Sequence, residues 1–408
     1  MAALKQKIRI IPLATLIAVL TGCGGGGGGS TEPAPPITNR TPVIESVGDL
    51  RIVENEVGVT TVSASDPDGD TLTFSLSGAD ADLFELSEKT ISFVTPPDFE
   101  NPADSDSNNQ YALSVSVSDG QASSSVALQV NVVDAHEGRV VDSPVVGASV
   151  FVDENDDLER GDDEREGVTD EAGYFSFERA DSDGDVKLVS IGGTDSSTKN
   201  SIYGLYRSDV LADASKSQVI TGISTLIASV DAASDKVALA SAIGFVNGVD
   251  VLLSSDIWSD SQSGSEEARS LQRVNSQVTL ILEISGAIAL EFSASNAVYV
   301  STADVLAQKL LNTSSSPSTN MLLSEQEIAA LFQEVLEAQA LGASVPQEAI
   351  AAIASSIADF NAVLGDDVND PIGDSATSVV ATAQTDLRTA VLEFVAGEID
   401  EAEYKGLT

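Results

Sequence analysis

Short runs of alternating apolar and polar residues fill the chain from Thr41 to about Glu137. Two of the clearest runs place apolar residues at every second position: Tyr111, Leu113, Val115 and Val117, then Val126, Leu128, Val130 and Val132. A period of two, interrupted by Gly, Pro, Asp and Asn, is typical of half-buried antiparallel strands. Several such runs within about 100 residues predict a β-sandwich over residues 41–137.

A second strand-rich segment covers residues 138–208. It begins with an apolar run from Gly138 to Val152 and returns through Thr169-Asp-Glu-Ala-Gly-Tyr-Phe-Ser-Phe177. This segment resembles the small prealbumin-type sandwich that recurs in bacterial surface proteins, where a Gly-Ala-x-Val strand and a Thr-Asp-x-x-Gly-x-Phe turn repeat. The resemblance implies a second, smaller β-sandwich.

From residue 209 onward the spacing of apolar residues changes to that of helices. Ser324-Glu-Gln-Glu327 has the form of a capping box and precedes five apolar residues at helical spacing: Ile328, Leu331, Phe332, Val335 and Leu336. Further helices are expected after Pro346, over 268–290 and over 375–396. The apolar run 278–292 is too short to span a bilayer and contains Glu283, which predicts a core helix. The chain is therefore expected to be multidomain, β then α, with a helical domain over 209–408.

The N-terminal residues have the features of an export signal. Three basic residues precede an apolar run over 10–20, which predicts a signal peptide over 1–22. The motif Leu20-Thr-Gly-Cys23 resembles the bacterial lipobox, which implies cleavage before Cys23 and lipidation of that residue; the alternative is a chance free thiol. A Gly- and Pro-rich tether is expected over 23–40. Because Gly24 follows the cysteine where an acidic residue would favour the inner membrane, the resemblance implies an outer-membrane lipoprotein.

The charge balance narrows the range of partners. The chain carries 64 acidic and 20 basic residues, a net charge of −44, and a single cysteine, so no disulfide can form within it. A surface with this much negative charge repels the phosphate backbone of nucleic acids, which excludes nucleic acid as a partner. The same charge attracts divalent cations. The alternative explanation for the acidity is solubility in a salty habitat.

Five motifs of the first segment occur in the order known from one family. They are Val53-Glu-Asn55, Ser63-Ala-Ser-Asp-Pro-Asp-Gly-Asp70, Pro97-Asp-Phe-Glu100, Asn109-Gln-Tyr-Ala-Leu-Ser-Val-Ser-Val-Ser-Asp-Gly120 and Val130-Asn-Val-Val-Asp134. Along nearly its whole length the segment resembles the bacterial cadherin-like domain. The resemblance implies a calcium-binding β-sandwich.

The resemblance also implies positions for the calcium ligands. At the pole facing the following domain these are Glu54, Asp98, Glu100 and Asp134; at the opposite pole they are Asp66 and Asp68. Calcium takes six to eight oxygen ligands, which such loops can supply. For the two aspartates of the opposite pole a plain polar turn is the alternative. The linker departs from the family pattern because His136 stands where an amide oxygen is usual.

A second acidic loop lies in the smaller sandwich. Oxygen-bearing residues follow the spacing of an EF-hand loop: Asp153, Asn155, Asp157 and Glu164. Leu158 replaces the usual glycine, and the flanking segments are strands, so a non-helical calcium loop is predicted, with a solvated acidic loop as the alternative. Residues 181–185 are expected to form a solvated acidic turn.

The sequence offers little basis for catalysis. His136 is the only histidine and is expected in the linker between domains, so neither a nucleophilic relay nor a zinc site can be assembled. We therefore expect no enzyme but a calcium-binding, lipid-anchored envelope protein that mediates adhesion through a protein or glycan ligand on a cell surface. The alternative is a polysaccharide-binding or export accessory protein whose helical domain is the functional part.

Replacement of the predicted lipidated cysteine gives a direct test of the membrane anchor. Cys23→Ser removes the thiol that would carry the lipid, so the protein is expected to leave the membrane fraction and appear in the soluble envelope fraction. Fractionation followed by immunodetection measures the distribution. Retention of the variant in the outer membrane would contradict lipid anchoring through this residue.

Overall fold

The computed structural model describes residues 38–407, with gaps at 46, 142, 181–182, 184–185, 198, 200, 203, 214, 264, 292–295, 313–323, 343 and 367–385. The predicted signal peptide, Cys23 and nearly all of the predicted tether lie outside the described residues. Among the described residues, strands occupy the N-terminal half and helices the C-terminal half. The predicted order, β then α, is confirmed.

Two facing sheets form the first module. One sheet has the order β2, β9, β8, β5 and the other the order β3, β7, β6, while β1 pairs with β4. The strand bounds are β1 Val43–Ile44, β2 Leu50–Val53, β3 Gly58–Thr61, β4 Ala64–Ser65, β5 Thr73–Ser77, β6 Phe84–Ser87, β7 Thr90–Phe93, β8 Gln110–Ser118 and β9 Ser123–Val133. Strand β2 runs parallel to β9, and the other pairs are antiparallel. The β-sandwich expected over this segment is confirmed.

The core of the first module follows the alternation in the sequence. Every second residue of β8 is buried, from Tyr111 to Val117, and the same holds for the C-terminal part of β9. Phe84 and Phe93 come from the other sheet, and the Phe93 ring meets Tyr111 edge-on with 5.2 Å between ring centroids. The two inner faces thus supply one apolar layer, as sandwiches require.

Nine strands of the described residues belong to the second module and its continuation. They are β10 Ala135–Val140, β11 Val145–Val146, β12 Ser149–Asp153, β13 Glu166–Val168, β14 Tyr174–Glu178, β15 Lys187–Ile191, β16 Thr194–Asp195, β17 Leu205–Asp209 and β18 Gln218–Ile220. The main sheets have the orders β13, β12, β15, β17 and β14, β10, β18. Gly138 lies where a Cβ atom would be 2.0 Å from the carbonyl oxygen of Gln218, so only glycine permits this approach of β10 to β18.

Helices follow directly after β18. Their bounds are α1 Gly222–Ile227, α2 Ala233–Ala242, α3 Val249–Ser254, α4 Ile257–Gln262, α5 Glu266–Glu291, α6 Ala297–Asn312, α7 Glu325–Ala338, α8 Gln347–Asp366, α9 386–395 and α10 Glu401–Leu407. As the sequence predicted, the Ser324 hydroxyl accepts a hydrogen bond from the backbone N–H of Glu327 at the start of α7. The apolar residues of α7 at helical spacing are buried, which confirms the helix.

One hydrophobic core joins the second module to the helices. Val150 and Phe175 from the strands belong to the same buried cluster as Leu226 of α1 and Ile281 of α5. The carboxylate of Glu283 on α5 also accepts hydrogen bonds from the backbone N–H of Gly204 (3.1 Å) and the hydroxyl of Tyr206 (3.0 Å). The prediction of a core helix around Glu283 is thus confirmed, and within the described ranges no helix has the length and apolar character to cross a bilayer.

Candidate calcium site at the module junction

Glu54 connects three segments where the first module meets the second. It follows β2, and its backbone N–H donates to the carbonyl of Val133 at the end of β9. One carboxylate oxygen accepts from the N–H of Phe99 at 2.9 Å, and the other accepts from the N–H of Ala135 at 3.0 Å. The side chain thereby links the end of β2, the 97–100 loop and the first residue of β10.

Burial makes this carboxylate costly to ionise. Glu54 is only 4% exposed, and desolvation raises its pKa from 4.5 to about 7 despite the two backbone hydrogen bonds, with Glu100 and Glu137 adding repulsion. A buried carboxylate that is not fully compensated draws a proton or a cation. At neutral pH this position therefore favours either a proton or a bound cation.

Further carboxylates surround Glu54. Oxygen atoms of Glu54, Asp98 and Glu100 lie within 4.8 Å of one another. Burial, followed by the charges of Asp134, Asp98 and Glu137, raises the pKa of Glu100. Burial and the charges of Asp98 and Asp134 likewise raise the pKa of Glu137, although Asn55 donates a hydrogen bond to it at 2.9 Å.

The donor set at the junction suits calcium. Three converging carboxylates offer up to six hard oxygen atoms, and calcium accepts carboxylates in one-oxygen or two-oxygen coordination. The chain thus brings together three of the four ligands expected at this pole. The fourth, Asp134, lies close enough to affect Glu100, and it also approaches the Arg179 guanidinium at 3.7 Å.

The opposite pole contains a cation supplied by the chain itself. Asp66, Asp68 and Asp70 bring carboxylate oxygens within 4.8 Å of one another. Both oxygens of Asp68 are engaged by Arg40, one by its backbone N–H (2.6 Å) and one by its guanidinium (2.8 Å). These hydrogen bonds lower the pKa of Asp68. Calcium at Asp66 and Asp68 stays a prediction, and Arg40 favours the alternative of a polar turn.

The 153–164 loop directs its oxygen atoms toward its own backbone. Asp153 accepts from the N–H groups of Asp157 and Leu158, and Glu164 accepts from those of Glu154 and Gly161. Burial raises the pKa of Asp153. Among the described residues, the groups of three converging carboxylates are those at the two poles and do not include this loop. Calcium at Asp153, Asn155, Asp157 and Glu164 therefore stays a prediction.

Leu158 has a role that its position in the loop did not suggest. It adopts the left-handed conformation (φ 63°) that a glycine usually occupies, yet its side chain is 7% exposed. It packs with Phe151 and with Tyr299 of α6. The loop is therefore attached to the helices by an apolar contact.

The interpretation of His136 as part of a linker is wrong. His136 is the second residue of β10, lies opposite Phe177 in the sheet and is 3% exposed. Its Nε2 lies 2.8 Å from a carboxylate oxygen of Asp183. Burial lowers the pKa of His136 to about 4, so the neutral ring donates this hydrogen bond at neutral pH.

The structure describes only Asp183 of the solvated turn expected over 181–185, and it corrects the expectation at this residue, which is 2% exposed. The Arg165 guanidinium donates to both of its carboxylate oxygens at 2.6 Å. Although burial raises the pKa of Asp183, these hydrogen bonds and those from Ala180 and His136 outweigh it and lower the pKa. Asp183 thus connects three parts of the second module, through His136, Arg165 and Ala180.

The sequence patterns did not indicate a functional or positioning role for Arg40, Glu137 or the Arg165–Asp183 pair. The proximity of Glu137 to Asp134 in the sequence was a usable signal for a further acidic group at the junction. Arg40 and Asp68 are 28 positions apart, and no local pattern connects them.

No known protein family and no curated protein matches the chain. Solved structures similar to it include Drosophila N-cadherin EC1-3, with 22% identity and a TM-score of 0.21. The match covers 23% of this chain and 34% of that chain. Human protocadherin-24 EC1-2 shows 14% identity and a TM-score of 0.21, with 40% of this chain and 93% of that chain covered. Human desmocollin-1 shows 13% identity and a TM-score of 0.20, with coverage of 41% and 40%. TM-scores this low do not bear on what this chain does.

The raised pKa of Glu54 predicts a pH-dependent difference between the wild type and Glu54→Gln. Between pH 4.5 and about 7 the unfolded state gives up the proton of Glu54 while the folded state keeps it. Folding stability therefore falls as pH rises, by about 3 kcal/mol at about 1.4 kcal/mol per pKa unit. Glutamine does not titrate, so Glu54→Gln should not show this loss. In the presence of chelator, the stability of the variant relative to the wild type should therefore rise by this amount between pH 4.5 and 8, as measured by urea unfolding.

The difference between the two proteins removes the contribution of titrating groups that do not interact with Glu54. His136, whose pKa is lowered, destabilises the fold as pH falls and so acts in the opposite direction, but it is present in both proteins and cancels. Parallel stability profiles of wild type and variant would contradict the assignment.

Proposed function

We propose that the chain is a calcium-binding, lipid-anchored envelope protein whose β-modules present a binding surface to another cell, polymer or envelope protein. The observation that carries the proposal is the convergence of Glu54, Asp98 and Glu100 at the junction of two modules, with a buried carboxylate at its centre. A divalent cation there would offset the repulsion among these groups and hold the two modules in one orientation.

The shared core of the second module and the helices supports this assignment. Because β10 is continuous with that core through Val140, fixing Glu54 to Ala135 fixes the first module to the whole remaining body. Calcium would then control a single junction between two rigid parts. The chain would be held at the outer membrane by lipid on Cys23, with a protein or a glycan as its ligand.

Calcium in the millimolar range is expected to raise the melting temperature of the mature chain, and chelator should reverse the rise. Extracellular calcium modules bind at about 10⁻⁴ to 10⁻³ M, and a ligand at 100 times its Kd stabilises the folded state by about 2.7 kcal/mol. Glu100→Gln should remove much of the rise because it deletes a carboxylate of the converging group. Magnesium should do less, since it needs a small octahedral site.

Asp68→Asn provides the matched control for Glu100→Gln. It is the same chemical change in the same module, but at a carboxylate that Arg40 already neutralises. The control should keep the calcium response. Loss of the response in Asp68→Asn with retention in Glu100→Gln would move the calcium site to the other pole and contradict the proposal.

Adhesion predicts a calcium-dependent effect between surfaces. Beads coated with the mature chain are expected to aggregate in calcium and to disperse in chelator, because only the ordered junction presents the modules in a common orientation. Light scattering measures aggregate size, and beads with Glu100→Gln serve as the comparison. Equal aggregation with and without calcium would contradict a role for the junction in adhesion.

A further inference from the structure

A cleft of about 420 Å³ lies between Asn55 of the first module and the second module. Its lining is mostly polar: Asn55, Glu137, Asp170, Ser176 and Ser217, with the ring of Tyr174. The volume lies within the range of roughly 300 to 1,000 Å³ that is typical of small-molecule sites. The cleft therefore has the size to hold a ligand.

The strand register explains why these side chains share one surface. In the antiparallel pair β10–β14, Glu137 lies opposite Ser176 and Arg139 lies opposite Tyr174. Residues two apart on a strand face the same side, so all four project from one face of the sheet. The other face carries His136 and Phe177 into the interior.

Tyr174 is the exposed aromatic residue of this surface. Its side chain is 49% exposed, and every other aromatic residue among those described is less exposed. One face of the ring meets the guanidinium of Arg139, 4.9 Å from the ring centroid. Arg139 is itself held by the carbonyl of Ala172 and by Asp256. The ring is thus fixed in place while its remaining surface stays open to solvent.

The cleft also contains hydrogen-bonding atoms that the protein does not use. Within the described part of the chain, no hydrogen bond engages the hydroxyls of Ser176 and Ser217 or the second carboxylate oxygen of Asp170. One oxygen of Glu137 accepts from Asn55, which leaves the other for a ligand. A ligand that donates several hydrogen bonds and offers an apolar face matches this set.

Charge distinguishes between the ligand classes that could use such a set. The carboxylates of Glu137 and Asp170 repel phosphate, sulfate and uronate groups. A cationic ligand is disfavoured at Tyr174 because Arg139 already places a positive charge on that ring. A neutral sugar has hydroxyls that donate to carboxylates and a face of C–H groups that packs on an aromatic ring.

We propose that this cleft binds a neutral saccharide, with a sugar ring packed on Tyr174 and its hydroxyls hydrogen-bonded to Glu137, Asp170 and Ser176. This inference rests on the proposed function, for which it names the class of ligand. Asn55 follows the calcium candidate Glu54 directly and is bonded to Glu137. Calcium at the junction would therefore order one wall of the cleft and strengthen saccharide binding.

The test uses the mature chain and an array of neutral and anionic oligosaccharides, followed by calorimetry with the neutral oligosaccharide that binds best. Tyr174→Ala should weaken binding at least tenfold because it removes the packing surface, and Asp170→Asn should weaken it because it removes an acceptor. Val168→Ala is the matched control, since Val168 is similarly exposed (63%) but does not line the cleft. It should bind as the wild type does.

The outcomes separate this inference from the proposed function because the calcium-induced rise in melting temperature is measured on the same samples. Three outcomes would each overturn the saccharide site: no neutral saccharide binds, anionic saccharides bind more tightly than neutral ones, or Tyr174→Ala binds as the wild type does. If the calcium response persists in those cases, the proposed function stands without it. Loss of the calcium response with saccharide binding intact would overturn the junction alone.

Discussion

The burial of the Glu54 carboxylate is the constraint on which the junction depends. Its two oxygens are the acceptors for backbone N–H groups of the 97–100 loop and of β10, so neither segment can move without breaking a hydrogen bond to a desolvated acid. Replacing such an acid by an apolar residue would leave both backbone donors without this acceptor, which costs about 1–3 kcal/mol for a buried group. The geometry therefore retains a carboxylate and with it the need for a proton or a cation.

The distribution of apolar contacts explains why this point matters to the whole molecule. The first module has its own core, whereas the second module and the helices share another. Among the described residues, hydrogen bonds join these two bodies at Glu54 with Ala135, Asn55 with Glu137, and Arg51 with Glu178. The contacts of Asn55 with Glu137 and of Arg51 with Glu178 are exposed, and such surface contacts are individually weak and depend on ionic conditions. The orientation of the first module is thus sensitive to ions in a way that neither core is.

How far the sequence predicts this arrangement depends on the range of each interaction. The alternation around Val115 and Val130 and the helical spacing around Leu331 are local signals, and the structure confirms them. The grouping of Glu54 with Asp98 and Glu100 followed from the resemblance of ordered motifs. Contacts such as Arg40 with Asp68, Arg165 with Asp183 and Leu158 with Tyr299 join distant segments. These contacts arise from tertiary packing, and no periodic pattern in the sequence predicts them.

The parallel pairing of β2 with β9 has a mechanical consequence. These strands lie near the two ends of the first module, with Leu50 opposite Val130 and Val53 opposite Val133. Tension applied between the N-terminal side of β2 and the C-terminal side of β9 pulls two parallel neighbours in opposite directions. Their interstrand hydrogen bonds are then loaded together in shear and are not peeled apart one after another. A module connected in this way can transmit tension along the chain while its sandwich stays folded.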